Sequence, residues 1–391
     1  FATTRVRVGK ADCDRSTGNV VAATFTHDTS RALDPHLHTH CIVFNATFDA
    51  VENRWKALQN YELLRTRKFV ENVYYHELAR KLRGFGYEIR NLTRGDFHIE
   101  GISEEVCERF SKRNAEIDKA LTKLLADKPQ LASANFKALR AQLAVETRAK
   151  KQKDLSKAEL RQLWDSQLNE DERAALRQPP SHTEKASGNR MSAGEAVQWA
   201  EDHLFERNSV ALECQLWQQA LERGRGEKFS VDELKEFTRR RPYIRNSERP
   251  AEVTLRDVLL REMEIVQTVK DGAGNCRPLV EHSYTADPKL DEEQRLALDA
   301  LLRSTNAVSL FRGGAGTGKS FVLLELVEQV RQAGRCVVVL APQRQQVVAM
   351  EQAEVPSPTT VANFLLKREL AEGAVIVVDE AGQIGGRQMA E

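Results

Sequence analysis

Residues 20–29, VVAATFTHDT, alternate between apolar and polar positions with a period of two. That pattern predicts a strand with Val21, Ala23, Phe25 and His27 on one face. HTHCIVFNATF, 38–48, predicts a second strand. In KFVENVYYHELARKLRGFGYEI, 68–89, apolar residues return every three or four positions. This predicts an amphipathic helix ending near Gly84 and Gly86, then a short strand. Helical spacing continues over 103–153 through Val106, Phe110, Ile117, Leu121 and Leu124. The polar stretch 154–190 closes on PPSHTEKASGNR and predicts a linker. Short helices are expected over 192–262, followed by a hairpin in VQTVKDGAGNCRPLV, 266–280, turning at its Asp-Gly.

From Leu290 the order becomes helix, strand VSLF, glycine loop, helix, strand CVVVLA, helix, strand AVIVVDEA. Near-continuous apolar strands separated by helices predict a parallel sheet covered on both faces. The expected fold class is therefore α/β multidomain. A first region, 1–153, carries an antiparallel sheet, and 154–191 is a linker. A helical region with a hairpin follows over 192–282, then a P-loop α/β region over 283–391. There is no internal repeat.

Composition changes this picture little. With 391 residues the chain exceeds what one hydrophobic core normally serves. Lys plus Arg is 58 and Asp plus Glu is 57, so overall charge does not announce a nucleic-acid binder. The local distribution says more: 112–153 holds eleven basic residues against four acidic ones. Such a segment can follow a phosphate backbone or form a solvated helical face, and charge alone leaves both open. The six cysteines include no C-x-x-C pair, which fits reduced structural thiols and a cytoplasmic setting. No apolar run approaches the length of a membrane span, so no membrane insertion is expected. The chain starts at Phe1 and ends at GGRQMAE, just past a motif, so a fragment of a longer protein is expected.

Two motifs carry chemistry. GGAGTGKS, 313–320, fits G-x-x-x-x-G-K-[ST] between an expected strand and the helix FVLLELVEQV. Gly313, Gly314, Gly316 and Gly318 let backbone N–H groups converge on phosphate, while Lys319 reaches the β/γ-phosphates and Ser320 ligates Mg²⁺. Asp379 and Glu380 end a hydrophobic strand, where Asp379 would hold Mg²⁺ through water and Glu380 would orient or deprotonate the attacking water. ATP with Mg²⁺ is the expected ligand.

The second motif is DPHLHTHCIVFN, 34–45. His38 and His40 share a strand face, and His27 lies on the preceding strand. Paired antiparallel, the three imidazoles can converge on one ion and leave positions open for phosphate oxygens. The rival set is His36, His38 and His40, although Pro35 assigns His36 to the entry turn. Hydrogen-bonded strand histidines are the third reading, and the residues alone leave the choice open.

THDTSRALDPHLHTHCIVFNAT resembles the three-histidine motif of the MobF conjugative relaxases, HUH-type endonucleases that nick one DNA strand at a transfer origin. KFVENVYYHELARKLRGFGYEI and GISEEVCERFSKRNAEI, 101–117, are similar to the stretch that follows in that family. The resemblance implies a partial α+β relaxase domain with His27, His38 and His40 as metal ligands, and His36 as a non-ligand. Mg²⁺ or Mn²⁺ is the family's usual metal, while three imidazoles suit Mn²⁺, Zn²⁺ or Ni²⁺ better. It also implies a tyrosine that attacks the scissile phosphodiester. The family's nucleophilic tyrosines lie near the protein's N-terminus, so the nucleophile is expected upstream of Phe1. Tyr61, Tyr74 and Tyr75 read as packing or DNA-facing residues.

LDEEQRLAL, 290–298, with GGAGTGKS and VVDEAG, 377–382, resembles a RecD-like superfamily 1 DNA helicase, which implies Gln294 at the adenine. LAPQRQQV, 340–347, and SPTTVANFL, 357–365, sit where that family contacts single strands. AGEAVQWAEDHLFERNSV, 193–210, resembles the segment that joins relaxase to helicase. The resemblance implies a second RecA-like domain beyond Glu391, so a truncated RecA-like domain, nucleotide binding with weak hydrolysis and no unwinding are expected of this sequence. The implied parent is a relaxase-helicase that nicks and unwinds DNA and passes into the recipient cell with it. Its implied partners are single-stranded DNA at a transfer origin, accessory transfer proteins and a coupling protein. Two alternatives stay open: a non-catalytic DNA-binding remnant, and a RecD-like ATPase with an N-terminal adaptor.

Overall fold

The computed structural model describes residues 1–92, 95–128, 131, 135–147, 155–177, 191–247, 251–314 and 317–391. The chain forms two compact units, Phe1–Ser192 with Gly224–Phe229, and Ala193–Arg223 with Ser230–Glu391.

The first unit begins with a hairpin absent from the sequence-based expectation. β1 (Thr3–Val8) pairs with β2 (Ala11–Ser16) through a turn in which Gly9 takes φ +64°. Asp12, Asp14 and Arg15 leave β2 without an apolar face, so its alternation is invisible in the sequence. β3 (Ala22–Thr29) and β4 (Pro35–Val43) form a two-stranded antiparallel ribbon, and β5 (Thr47–Asp49) with β6 (Arg54–Lys56) forms another. The expected single strand over 38–48 is thus split into β4 and β5.

α1 (Asn60–Arg65) leads into α2 (Arg67–Gly84), which buries Phe69, Asn72, His76 and Ala79 along one face, as the three-and-four spacing requires. β7 (Ile89–Asn91) pairs with β8 (Phe97–Ile99). Helices α3 (Glu104–Arg109), α4 (Lys112–Asp127) and α5 (Phe136–Glu146) match the expected helical stretch. The expected linker is not one over its described part. α6 (Lys157–Asp165) starts with a Ser156/Glu159 capping box, and α7 (Glu170–Arg177) is held by a two-pronged ion pair from Arg109 to Glu172. Its end, 178–190, lies outside the described residues.

In the same unit His76 is buried, and Nε2 meets the Phe229 carbonyl at 2.8 Å. Burial, outweighing that hydrogen bond, holds its pKa below the usual histidine value.

The second unit starts with α8 (Ala193–Phe205), β9 (Ala211–Leu212), α9 (Glu213–Arg223) and α10 (Val231–Arg240). β10 (Ile244–Arg245) and β11 (Glu252–Thr254) join β9 in a small sheet of order β10-β11-β9. Buried Glu201 receives Arg241 Nε at 2.9 Å and the Tyr243 hydroxyl, so α8 keeps its buried carboxylate paired. α11 (Arg256–Asp271) replaces the expected hairpin: its helix runs through VQTVKD and ends at the Asp-Gly.

α12 (Glu292–Leu302) and α13 (Lys319–Gln332) precede a parallel sheet of order β13-β12-β14, built from β12 (Val337–Ala341), β13 (Thr359–Thr360) and β14 (Val375–Val378). α14 (Arg344–Gln352), α15 (Val361–Lys367) and α16 (Gly386–Ala390) complete the chain. The core gathers Leu298 and Leu302 of α12, Val322 and Val330 of α13, and Val339 and Ala341 of β12. The parallel reading holds, but the expected strand VSLF does not. Residues 308–311 adopt no strand, and Leu310 is 88% exposed. Among the described residues no helix is long and apolar enough to cross a membrane.

Candidate metal and nucleotide sites

Strand pairing positions the histidines. In the β3–β4 register His27 opposes His38, Phe25 opposes His40 and Ala23 opposes Ile42, so these six side chains share one face. Ring centres lie 5.5 Å apart for His27 and His38, 5.2 Å for His27 and His40, and 5.0 Å for His38 and His40. His36 is not in an entry turn. It lies within β4 and stacks on His38 at 4.5 Å. Pro35 has no N–H to give, and as the first residue of β4 it does not break the ladder. The His36 pKa is lowered by burial and by the neighbouring His38.

His38 Nδ1 lies 2.8 Å from the His36 carbonyl, which makes Nδ1 the hydrogen-bonding nitrogen and leaves Nε2 available. Imidazoles bound to one ion at roughly 2.0–2.1 Å put their ring centres about 5 Å apart, so spacing and donor chemistry fit a divalent cation. As the rings stand, no group of three His, Cys, Asp or Glu among the described residues is arranged to hold a metal ion. Register fixes the spacing through the backbone, whereas ring orientation changes by side-chain rotation alone, so spacing carries the greater weight.

Of the described loop residues, Gly313, Gly314 and Thr317 are exposed and Gly318 is half-buried. Gly318 takes φ +74° and caps α13, and Lys319 is the first helical residue. Lys319 Nζ donates to the carbonyls of Gly313 at 3.0 Å and Gly314 at 2.8 Å, which holds the ammonium against the first two glycines of the motif. Ser320 is exposed on the first turn of α13. Gln294 helps cap α12 through Asp291, and its amide donates to the Thr317 carbonyl at 3.3 Å. Gly316 lies outside the described residues.

Asp379 follows β14 and extends its ladder by donating N–H to Leu340 O at 3.0 Å. Glu380 is exposed at φ +52°, its N–H bound to Asp379 Oδ1 at 3.0 Å. The sequence pattern gives no sign of Gln383, whose amide nitrogen lies 3.5 Å from Glu380 Oε2 and whose carbonyl accepts from Gln343 at 2.9 Å.

Residues 1–170 match the profile of the TrwC relaxase family, and residues 289–391 match an AAA domain family. The Multifunctional conjugation protein TraI of Escherichia coli is 36% identical over 132 residues, which span 31% of this chain and 7% of TraI. The corresponding protein of strain K12 is 34% identical over the same length. Among solved structures, the metal-bound conjugative relaxase TrwC in complex with oriT DNA aligns at 31% identity and a TM-score of 0.37, over 42% of this chain and 55% of TrwC. TrwC with a 27-mer DNA comprising the recognition hairpin and cleavage site aligns at 30% identity and a TM-score of 0.38. The relaxase resemblance is therefore borne out over residues 1–170, and the helicase resemblance only as far as an AAA domain: one polypeptide carries a region similar to TrwC relaxases and a region similar to AAA domains.

Proposed function

We propose that this chain belongs to the machinery of conjugative DNA processing, with a nicking site around His27, His38 and His40 and an ATP site around the glycine loop. The observation that carries the first half is the mutual spacing of the three rings, 5.0 to 5.5 Å, on one exposed face of β3–β4. A divalent cation bound there supplies charge stabilisation to a scissile DNA phosphate. The protein's own contribution is to present three imidazoles from two paired strands, with His38 Nδ1 bound to the His36 carbonyl and Nε2 left for the ion. His36 supports the His38 ring by stacking and is not a ligand. Strand cleavage by tyrosine transesterification at a transfer origin, with accessory and coupling proteins as partners, is the activity this reading assigns to the longer protein.

For the second half, Lys319 and Ser320 at the start of α13 and Asp379 at the end of β14 suit a Mg²⁺-nucleotide. Gly313, Gly314, Gly316 and Gly318 cradle its phosphates, Gln294 meets its base, and Glu380 orients the attacking water. A single titration series tests both halves. Mn²⁺ should bind the intact chain and be lost on His38→Ala, and ATP should bind and be lost on Lys319→Ala. If neither loss appeared, both assignments would be wrong.

A further inference from the structure

The β3–β4 ribbon is a two-stranded sheet joined by no third strand among the described residues, so the histidines depend on whatever fixes its ends. At the end away from the histidines, Asn19 does this. Its side chain accepts from Phe48 N–H at 2.8 Å and donates to Phe48 O at 2.9 Å, while its carbonyl accepts from Thr47 Oγ1 at 2.8 Å. The histidine end is closed by the connection 30–34. Ser30 N–H donates to Asp34 O at 2.9 Å, Ser30 Oγ accepts from Asp34 N–H at 3.1 Å, and Leu33 takes a left-handed φ of +61°.

That connection is tied down twice by distant residues. Asp34 is 2% exposed, and Oδ2 accepts the backbone N–H of Lys112 at 3.0 Å. It thereby caps α4, whose own N-cap residue Ser111 makes no side-chain cap. Lys112 Nζ lies 3.0 Å from Asp34 Oδ1 as an ion pair, off the alignment of a hydrogen bond. Trp164 Nε1 donates to the Leu33 carbonyl at 2.6 Å. His27 stands three residues before Ser30, and His38 four residues after Asp34. A shift in this connection therefore moves β4 against β3 at the position where His27 faces His38.

We propose that Asp34, with Lys112 and Trp164, is a positioning residue for the histidine site: it holds the strand register that keeps the three imidazoles within reach of one ion. This rests on the reading of His27, His38 and His40 as ligands. The competing role is a helix cap that contributes stability alone.

Titration of the full chain with Co²⁺, followed by visible absorption, separates the two roles, with thermal melting and ATP binding measured alongside. Asp34→Asn keeps an acceptor for the Lys112 N–H and removes the ion pair. Trp164→Phe keeps an aromatic ring and removes the N–H. Each variant is expected to weaken Co²⁺ binding by about tenfold and to alter the absorption band, as loss of outer-shell support does at metal sites. Trp164→Phe decides the matter if Asp34→Asn does not fold. Variants that melt earlier yet titrate Co²⁺ like the unaltered chain would overturn the proposal and leave a helix cap. No Co²⁺ binding by the unaltered chain would overturn the ligand reading and this proposal with it, whereas normal binding lost on His38→Ala keeps the ligand reading intact.

Discussion

His27 on β3 stands directly opposite His38 on β4, with ring centres 5.5 Å apart and ring planes 29° from parallel. A one-residue slip of register would send His38 to the opposite face and leave His27 facing a threonine or a leucine. The expected outcome of substitution follows. His27→Ala, His38→Ala and His40→Ala should each lower Mn²⁺ or Zn²⁺ affinity by at least about tenfold in calorimetry. His36→Ala should cost less, because it removes a stacking partner of His38 and not a ligand. If His36→Ala abolished binding while His27→Ala left it intact, the set would be His36, His38 and His40.

The glycine loop gives a steric prediction. Gly318 sits at φ +74°, and a Cβ added there would meet Gln294 Nε2 at 2.4 Å. A left-handed alanine costs roughly 1–2 kcal/mol before that clash is counted. Gly318→Ala should therefore weaken ATP binding chiefly through the strained left-handed backbone, since the Gln294 amide is the far end of a flexible side chain that can give way. Fluorescent-nucleotide titration of Gly318→Ala against the unaltered chain checks this, and an unchanged affinity would contradict it.

Asp49 makes stability depend on pH. Burial alone would raise its pKa, but N–H bonds from Glu52 and Val51 and the Arg15 guanidinium outweigh burial and hold it below the ordinary 3.8. A carboxyl with a depressed folded pKa contributes stability that is complete above the unfolded value. That stability is lost as pH falls through the folded one. Asp49→Asn should thus lower the melting temperature of the chain at pH 7, and the difference should close below pH 3.8. A difference independent of pH would mean that the charge is irrelevant there.

DNA binding should run along α4. Arg113 and Arg140 of the basic stretch pair with Glu116 and Asp118, which reduces the surplus that the sequence displays. Lys119 and Lys123, one turn apart and exposed, have no ion pair among the described residues. Lys119→Glu with Lys123→Glu should reduce single-stranded DNA affinity. It should also flatten the salt dependence by about 0.7 in logarithmic slope for each phosphate no longer neutralised. Tyr75 packs on Phe97 and Tyr74 packs on Tyr75. Tyr75 is held by these contacts, whereas Tyr61 and Tyr74 are exposed; with all three read as packing or DNA-facing residues, no covalent adduct to Tyr61, Tyr74 or Tyr75 is expected with transfer-origin oligonucleotides. Mapping an adduct to any of the three would contradict this.

The histidine face was legible because strand alternation and the spacing of His38 and His40 are local properties, and α2 was legible because its buried positions fall at three- and four-residue intervals, although two of them, Asn72 and His76, are polar. The hairpin at 266–280 was misread because Asp-Gly closes a helix as readily as it turns a hairpin, and Gly272 follows the last residue of α11. VSLF has the composition of a buried strand, but strand formation needs a partner, and 308–311 find none among the described residues. The anchors of the histidine strand were beyond sequence reading altogether: Asp34 meets Lys112 across 78 residues, and Leu33 meets Trp164 across 131. Neither Lys112 nor Trp164 carries a local signal of the residue it meets.

The measurement that tests the central claim most directly is X-ray absorption on the Co²⁺-loaded chain, compared with its His27→Ala, His38→Ala and His40→Ala variants. The account predicts three imidazole nitrogens at about 2.0–2.1 Å in the unaltered chain, with one fewer in each variant. A shell made of oxygen ligands, or one unchanged by removal of His27, would contradict it.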